Sequence, residues 1–211
     1  MVIGDNFIWL HLGKTAGRST SQSFASIKDR GVRIIDGLPQ MHYNLEEACQ
    51  KYNLNSSVFE TVLMNIRPLH SWIQSLVNYR GLDVHKYGDI IRSGQVVEHV
   101  DYWIEYFRVN NLPHTDLGGG LVSAPADNYI SHYVLDGDKN ILPNLKLLRM
   151  EYLEEDIKKF FGDYCDDTLL SNILSKKIGK LSYEKLQLTT QELRIMRLTN
   201  PIWTTLELEA Y

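Results

Sequence analysis

Cysteine is scarce in this chain: Cys49 and Cys165 are the only two in 211 residues, and no CxxC spacing exists. A disulfide-stapled scaffold and a cysteine-built zinc site are thereby excluded, and both thiols are expected to be buried. Prolines number six and no repeat or low-complexity tract is visible, which excludes collagen-like and disordered chains. Positive charge is not in excess either, since 22 Lys and Arg stand against 26 Asp and Glu for a net −4. A broad nucleic-acid or anionic-membrane footprint is therefore not expected, although a local cationic pocket fits this balance. Long apolar runs are missing: Phe7 to Leu12 is too short for a signal core or a membrane span. The expectation is a cytoplasmic protein with no membrane or nucleic-acid partner.

What is present is an ordinary globular composition, 44% apolar and 10% aromatic. At roughly 150 residues per domain, the length favours a single domain over residues 1–211. The apolar run Phe7 to Leu12 reads as a strand buried on both faces, and Gly13 to Thr20 as a turn leading into a helix from Ser19 to about Asp29. Val32 to Ile35 is a short strand. Leu45, Ala48, Cys49 and Tyr52 share a helix face. Thr61 to Ile66 is a second buried strand running into Arg67-Pro68, after which Leu69, Trp72, Ile73, Leu76 and Val77 mark an amphipathic helix. Val97, Val100, Ile104 and Phe107 predict another helix, and Asn111 to Asn128 a long loop. Tyr129 to Val134 and Ile141 to Leu148 read as strands, and Leu153, Ile157, Phe160 and Phe161 as a helix. Thr189 to Glu192 forms a capping box for a C-terminal helix stopped by Pro201. Alternating strands and helices predict a three-layer αβα domain on a mostly parallel sheet, with ligands beyond the carboxyl ends of its strands. On this pattern an α/β core would cover about 5–165 and a helical C-terminal part about 166–211.

The loop after the first strand contains Gly13-Lys14-Thr15, but GxxxxGK[ST] needs glycine at position 8, which is Ile8. What remains is an early lysine, Gly17, Ser19 and a helix start, an arrangement whose backbone N–H groups can receive a phosphate. His11-Leu12-Gly13-Lys14-Thr15-Ala16-Gly17-Arg18-Ser19 resembles the 5′-phosphosulfate loop of the sulfotransferases that use 3′-phosphoadenosine-5′-phosphosulfate (PAPS), particularly the carbohydrate-type branch. In that pattern Gly13 replaces a proline, Ala16 a glycine and Arg18 a threonine. The second strand resembles the same family's 3′-phosphate element: Arg67 is followed by Pro68, and Ser75 lies eight residues on, with Trp72 where a second arginine is usual. Ser71 is a substitute ligand in that element. Leu147 to Asp156 is similar to a further strand-to-helix segment of the family.

The resemblance implies a P-loop-like fold and in-line transfer of a sulfuryl group from PAPS to a carbohydrate or other small alcohol, releasing adenosine 3′,5′-bisphosphate (PAP) without a metal. It implies that Lys14, Thr15, Ala16, Gly17, Arg18, Ser19 and Thr20 hold the phosphosulfate, that Arg67 and Ser75 hold the 3′-phosphate, and that Lys14 stabilises the leaving oxygen. The family's base is commonly a glutamate or histidine near the first βαβ unit. His42, after the short strand Val32 to Ile35 and before the Leu45 helix, fits that position, and imidazole titrates near neutral pH. Taken alone, Lys14 reads as a solvated charge, Arg67 as a salt-bridge or helix-start residue and Ser75 as a surface helix serine. His11 reads as a core or loop-supporting histidine. Gly118-Gly119-Gly120 is a flexible loop or an acceptor lid, and Tyr102, Trp103, Tyr106 and Phe107 are core and rim or an acceptor platform. Two rival functions stay open: an ATP-dependent nucleotide or small-molecule kinase, and a non-catalytic nucleotide-binding domain.

Overall fold

A computed structural model of the chain describes residues 1–28, 30–35, 37, 40–100, 102–175 and 185–211. In chain order the elements are β1 (Val2–Ile3), β2 (Phe7–Leu10), α1 (Gly17–Ser23), β3 (Arg33–Ile34), α2 (Leu45–Tyr52), β4 (Thr61–Ile66), α3 (Leu69–Tyr79) and α4 (Gly88–Arg92). They continue with β5 (Gln95–His99), α5 (Tyr102–Val109), β6 (Thr115–Gly118), β7 (Leu121–Pro125), α6 (Asp127–Val134), β8 (Leu145–Arg149), α7 (Leu153–Phe161), α8 (Asp167–Ser175), α9 (Thr190–Thr199) and α10 (Pro201–Ala210). The chain divides into two compact units. One takes Met1–Arg67, Tyr133–Lys180 and Ala210, the other Pro68–His132, Leu181–Glu209 and Tyr211. The protein is α/β.

The first unit is built on a five-stranded sheet in the order β3-β1-β2-β4-β8. It is mixed rather than mostly parallel: β2, β4 and β8 run parallel, whereas β1 is antiparallel to both β2 and β3. Strand β1 carries only Val2 and Ile3, too short a run to show a period. Ile8, Leu10, Val62, Met64 and Ile66 on one face and Phe7, Trp9 and Leu63 on the other are all buried, which accounts for the unbroken apolar runs of β2 and β4. On the second face Val2, Phe7, Trp9, Leu63 and Leu148 pack with Phe24, Leu153, Ile157, Phe161 and Leu170.

Helix α1 ends six residues before the expected boundary at Asp29, a residue outside those described. Its serines explain the short length. Ser23 Oγ donates to the Ser19 carbonyl at 2.7 Å and Ser26 Oγ to the Ser23 carbonyl at 2.6 Å, so hydroxyls compete with the backbone ladder and a 3₁₀ turn follows. Helix α2 forms as its period predicts, opened by an Asn44–Glu47 capping box. Cys49 and Cys165 are half-buried rather than buried, and partial desolvation pushes both thiols up.

In the second unit a three-stranded antiparallel sheet, β5-β7-β6, replaces two expected features. The helix expected from Val97 begins only at Tyr102, because Val96, Val97 and Glu98 are buried in β5 against β7. The long loop Asn111 to Asn128 holds the β6–β7 hairpin. Its turn uses Gly118, Gly119 and Gly120, all at positive φ that only glycine adopts freely. Tyr129 to Val134 lies in helix α6, not a strand; its aromatic and β-branched residues fall at i, i+1, i+4 and i+5, and the helix is buried all round. Within this unit Trp72 packs on Trp203 at 4.5 Å and Tyr129 at 5.7 Å. The Asp127 carboxylate caps α10 by accepting the Ile202 and Trp203 N–H groups, both at 2.8 Å. Pro201, which stops α9, also opens α10. The α9 capping box forms as predicted. Among the described residues no helix is long and apolar enough to cross a membrane.

Candidate functional site

Parallel pairing of β2 with β4, in the register Leu10 with Met64, makes the chain leave both strands at the same edge. The segment after β2 and the residue after β4 therefore emerge side by side. The β2–α1 loop does not close as a simple turn. Lys14 has φ 67° and Ala16 φ 64°, with helical residues following, so φ changes sign along Lys14, Thr15, Ala16 and Gly17. Such alternation turns successive backbone N–H groups toward one concavity, which suits an anion. A left-handed residue with a side chain costs roughly 1–2 kcal/mol, and the loop holds two.

Side chains of β4 sustain this shape. Asn65 is fully buried on the same face as Trp9. Its Oδ1 accepts the Trp9 indole N–H at 2.8 Å, while Nδ2 donates to the Thr15 carbonyl at 2.8 Å and to Thr20 Oγ1 at 2.6 Å. Thr20 Oγ1 in turn donates to the Ala16 carbonyl at 3.1 Å. Thr15 Oγ1 donates back to the Leu12 carbonyl at 2.6 Å. Arg67 Nη1 donates to the Lys14 carbonyl at 3.2 Å.

Three rings stack behind the loop. His11 lies on Trp9 at 5.3 Å and on His42 at 4.6 Å, each within about 25° of parallel. His11 Nε2 faces Gly17, where an added β-carbon would stand 1.7 Å from it. Burial, then the neighbouring His42, lowers the His11 pKa to about 3, so its ring is neutral at ordinary pH. His42 Nδ1 lies 3.0 Å from the His11 carbonyl oxygen. A carbonyl only accepts, so Nδ1 carries the proton and Nε2 is the basic nitrogen.

Electrostatically the loop is cationic. Lys14 is half-buried, and desolvation followed by the Arg67 charge lowers its pKa from the usual lysine value. Arg18 is exposed, the first turn of α1 contains no acid, and its N-cap residue, Ala16, offers no side-chain hydrogen bond. The expected loop residues Lys14, Thr15, Ala16, Gly17, Arg18, Ser19 and Thr20 thus sit together with Arg67 and His42. Ser75 belongs to the second unit, on α3, whose residues from Trp72 to Val77 are all buried. The third resembling segment is an ion-pair cluster: Arg149 meets Asp156 at 2.6 Å and Glu155 at 2.8 Å. Gly118 to Gly120 belong to the hairpin turn described above, Trp103 packs on Tyr129 at 4.9 Å, and Tyr106 meets His132 at 4.7 Å. No three His, Cys, Asp or Glu among the described residues gather as a metal-binding group.

Sequence reasoning missed Asn65 and the Trp9 indole as its partner, whereas His11, expected as a core or loop-supporting residue, is buried against Gly17 of the loop. The available signal was an asparagine inside the apolar strand Val62-Leu63-Met64-Asn65-Ile66, since a buried carboxamide needs partners. Comparison with family models, with curated proteins and with solved structures finds no match to this chain.

Proposed function

We propose that this chain is a PAPS-dependent sulfotransferase with a P-loop-like donor-binding core, acting on a carbohydrate or other small alcohol. The observation that carries the reading is the β2–α1 loop, whose carbonyls Asn65 and Arg67 hold, with the half-buried Lys14 within it and no acidic residue in the first helical turn. A phosphosulfate fits that chemistry, because it needs several N–H donors and cations and tolerates no carboxylate beside it.

When bound, the donor supplies the sulfuryl group and a phosphate that leaves as it is transferred. The chain's own residues would bind, orient and balance charge. The N–H groups from Ala16 to Ser19 hold the anion, and the half-buried Lys14 ammonium meets developing negative charge where desolvation strengthens it. Arg67 is the wider guanidinium partner for a second phosphate. His42 Nε2, basic because Nδ1 is fixed by the His11 carbonyl, takes the acceptor hydroxyl's proton.

Turnover tests this reading: PAP release from PAPS is followed with a panel of carbohydrate and small-alcohol acceptors, for wild type and Lys14→Ala. Acceptor-dependent release that Lys14→Ala reduces by roughly a hundredfold or more supports it. Release undiminished in Lys14→Ala removes Lys14 from the chemistry. Phosphate transfer from ATP in place of PAP release makes the protein a kinase.

A further inference from the structure

We infer that Asn65 is a positioning residue for the anion loop, aiming the Ala16 and Gly17 N–H groups outward by holding the carbonyls on the other side of their peptides. The inference rests on the sulfotransferase reading only for the identity of the anion. Its geometry is independent of it.

The amide orientation of Asn65 is fixed by chemistry. An indole N–H only donates, so the atom facing Trp9 Nε1 at 2.8 Å is the carbonyl oxygen, and the NH₂ must face the loop. That NH₂ reaches the Thr15 carbonyl directly, and reaches the Ala16 carbonyl through the Thr20 hydroxyl, which accepts from Asn65 and donates onward. In a trans peptide the carbonyl and the following N–H point in opposite directions. Drawing the Thr15 carbonyl toward β4 therefore turns the Ala16 N–H away from it, and the Ala16 carbonyl, which accepts the Thr20 N–H at 3.0 Å as well as the hydroxyl that Asn65 holds, sets the Gly17 N–H opposite to itself.

The arrangement also explains how Ala16 stays at φ 64° without glycine's freedom. Two hydrogen-bonded carbonyls, at the peptides before and after it, over-determine the conformation. Buried polar groups left unpaired are costly, so Trp9, Asn65, Thr15 and Thr20 act as one set. Asn65 touches no reacting atom and acts through the loop.

The test is backbone amide NMR of Ala16 and Gly17, titrated separately with PAP and with inorganic pyrophosphate, in wild type and Asn65→Leu, with thermal unfolding as the check on folding. The expected result is that both anions shift these two amides in wild type, and that Asn65→Leu weakens both titrations by roughly tenfold or more while remaining folded. Unchanged titrations in a folded Asn65→Leu overturn the inference and leave the sulfotransferase reading intact. Pyrophosphate shifts that depend on Asn65, with no shift from PAP, uphold the inference and overturn that reading. If neither anion shifts the amides in wild type, both fail. Should Asn65→Leu not fold, Thr20→Val removes only the relay to the Ala16 carbonyl; a loss confined to the Gly17 amide supports the inference, and no loss overturns it.

Discussion

Gly17 and His11 occupy one space: the imidazole Nε2 of His11 lies where a β-carbon on residue 17 would have to be, at 1.7 Å. The contact ties the end of β2 to the start of α1 and makes a glycine compulsory for steric rather than conformational reasons. Gly17→Ala is accordingly expected to destabilise the protein by at least about 2 kcal/mol, since buried rings and a strand must shift together. A thermal melt checks this, and a melt unchanged from wild type would contradict the packing.

Ala16 presents the opposite case. It stands at φ 64° with a side chain where the resembling loops carry glycine. Ala16→Gly should relieve the strain and stabilise the fold by about 0.5–1 kcal/mol, net of the entropy glycine adds to the unfolded chain. Urea denaturation measures the difference; a destabilised variant would show that Ala16 is not strained.

His11 makes stability depend on pH. Its folded pKa, about 3, lies below the unfolded value of 6.5, so the unfolded chain takes up a proton first as the pH falls. The contribution is complete above 6.5 and is lost as pH falls from there toward about 3, at up to about 1.4 kcal/mol per pH unit. Wild type should therefore lose more stability than His11→Gln between pH 7 and pH 5 in paired denaturant titrations. Equal losses would mean that His11 is solvated.

How much of this could be read in advance depended on periodicity. Strands β2 and β4, helix α2 and the α9 capping box were legible because burial on both faces, a one-sided apolar stripe and a Thr189–Glu192 pair each leave a distinct pattern. Helix α6 and strand β5 were not. Tyr129, Ile130, Tyr133 and Val134 have strand-forming side chains, and only tertiary burial selects the helix. The candidate loop was legible through Lys14, Gly17 and Ser19, and Arg67 through its place after β4. The role of Asn65 was not, because its partners Trp9, Thr15 and Thr20 lie 45 to 56 residues away in the chain.

Arg67 both pins the Lys14 carbonyl and adds to the positive field that lowers the Lys14 pKa. Arg67→Ala should weaken PAP binding by roughly tenfold through loss of charge-assisted hydrogen bonds. It should also raise the Lys14 pKa. In wild type, donor binding is lost as Lys14 deprotonates, and because its pKa is depressed the alkaline limb should begin below that of an ordinary lysine; in Arg67→Ala it moves to higher pH. Binding titrations from pH 7 to 10 check both, and an alkaline limb that stays in place would separate the two residues.

Calorimetric titration of the purified protein with PAP, beside ATP with magnesium, tests the central claim most directly. The account predicts saturable PAP binding at least about tenfold tighter than ATP, weakened by Lys14→Ala and Arg67→Ala. Preference for ATP, or no binding of PAP, would contradict it.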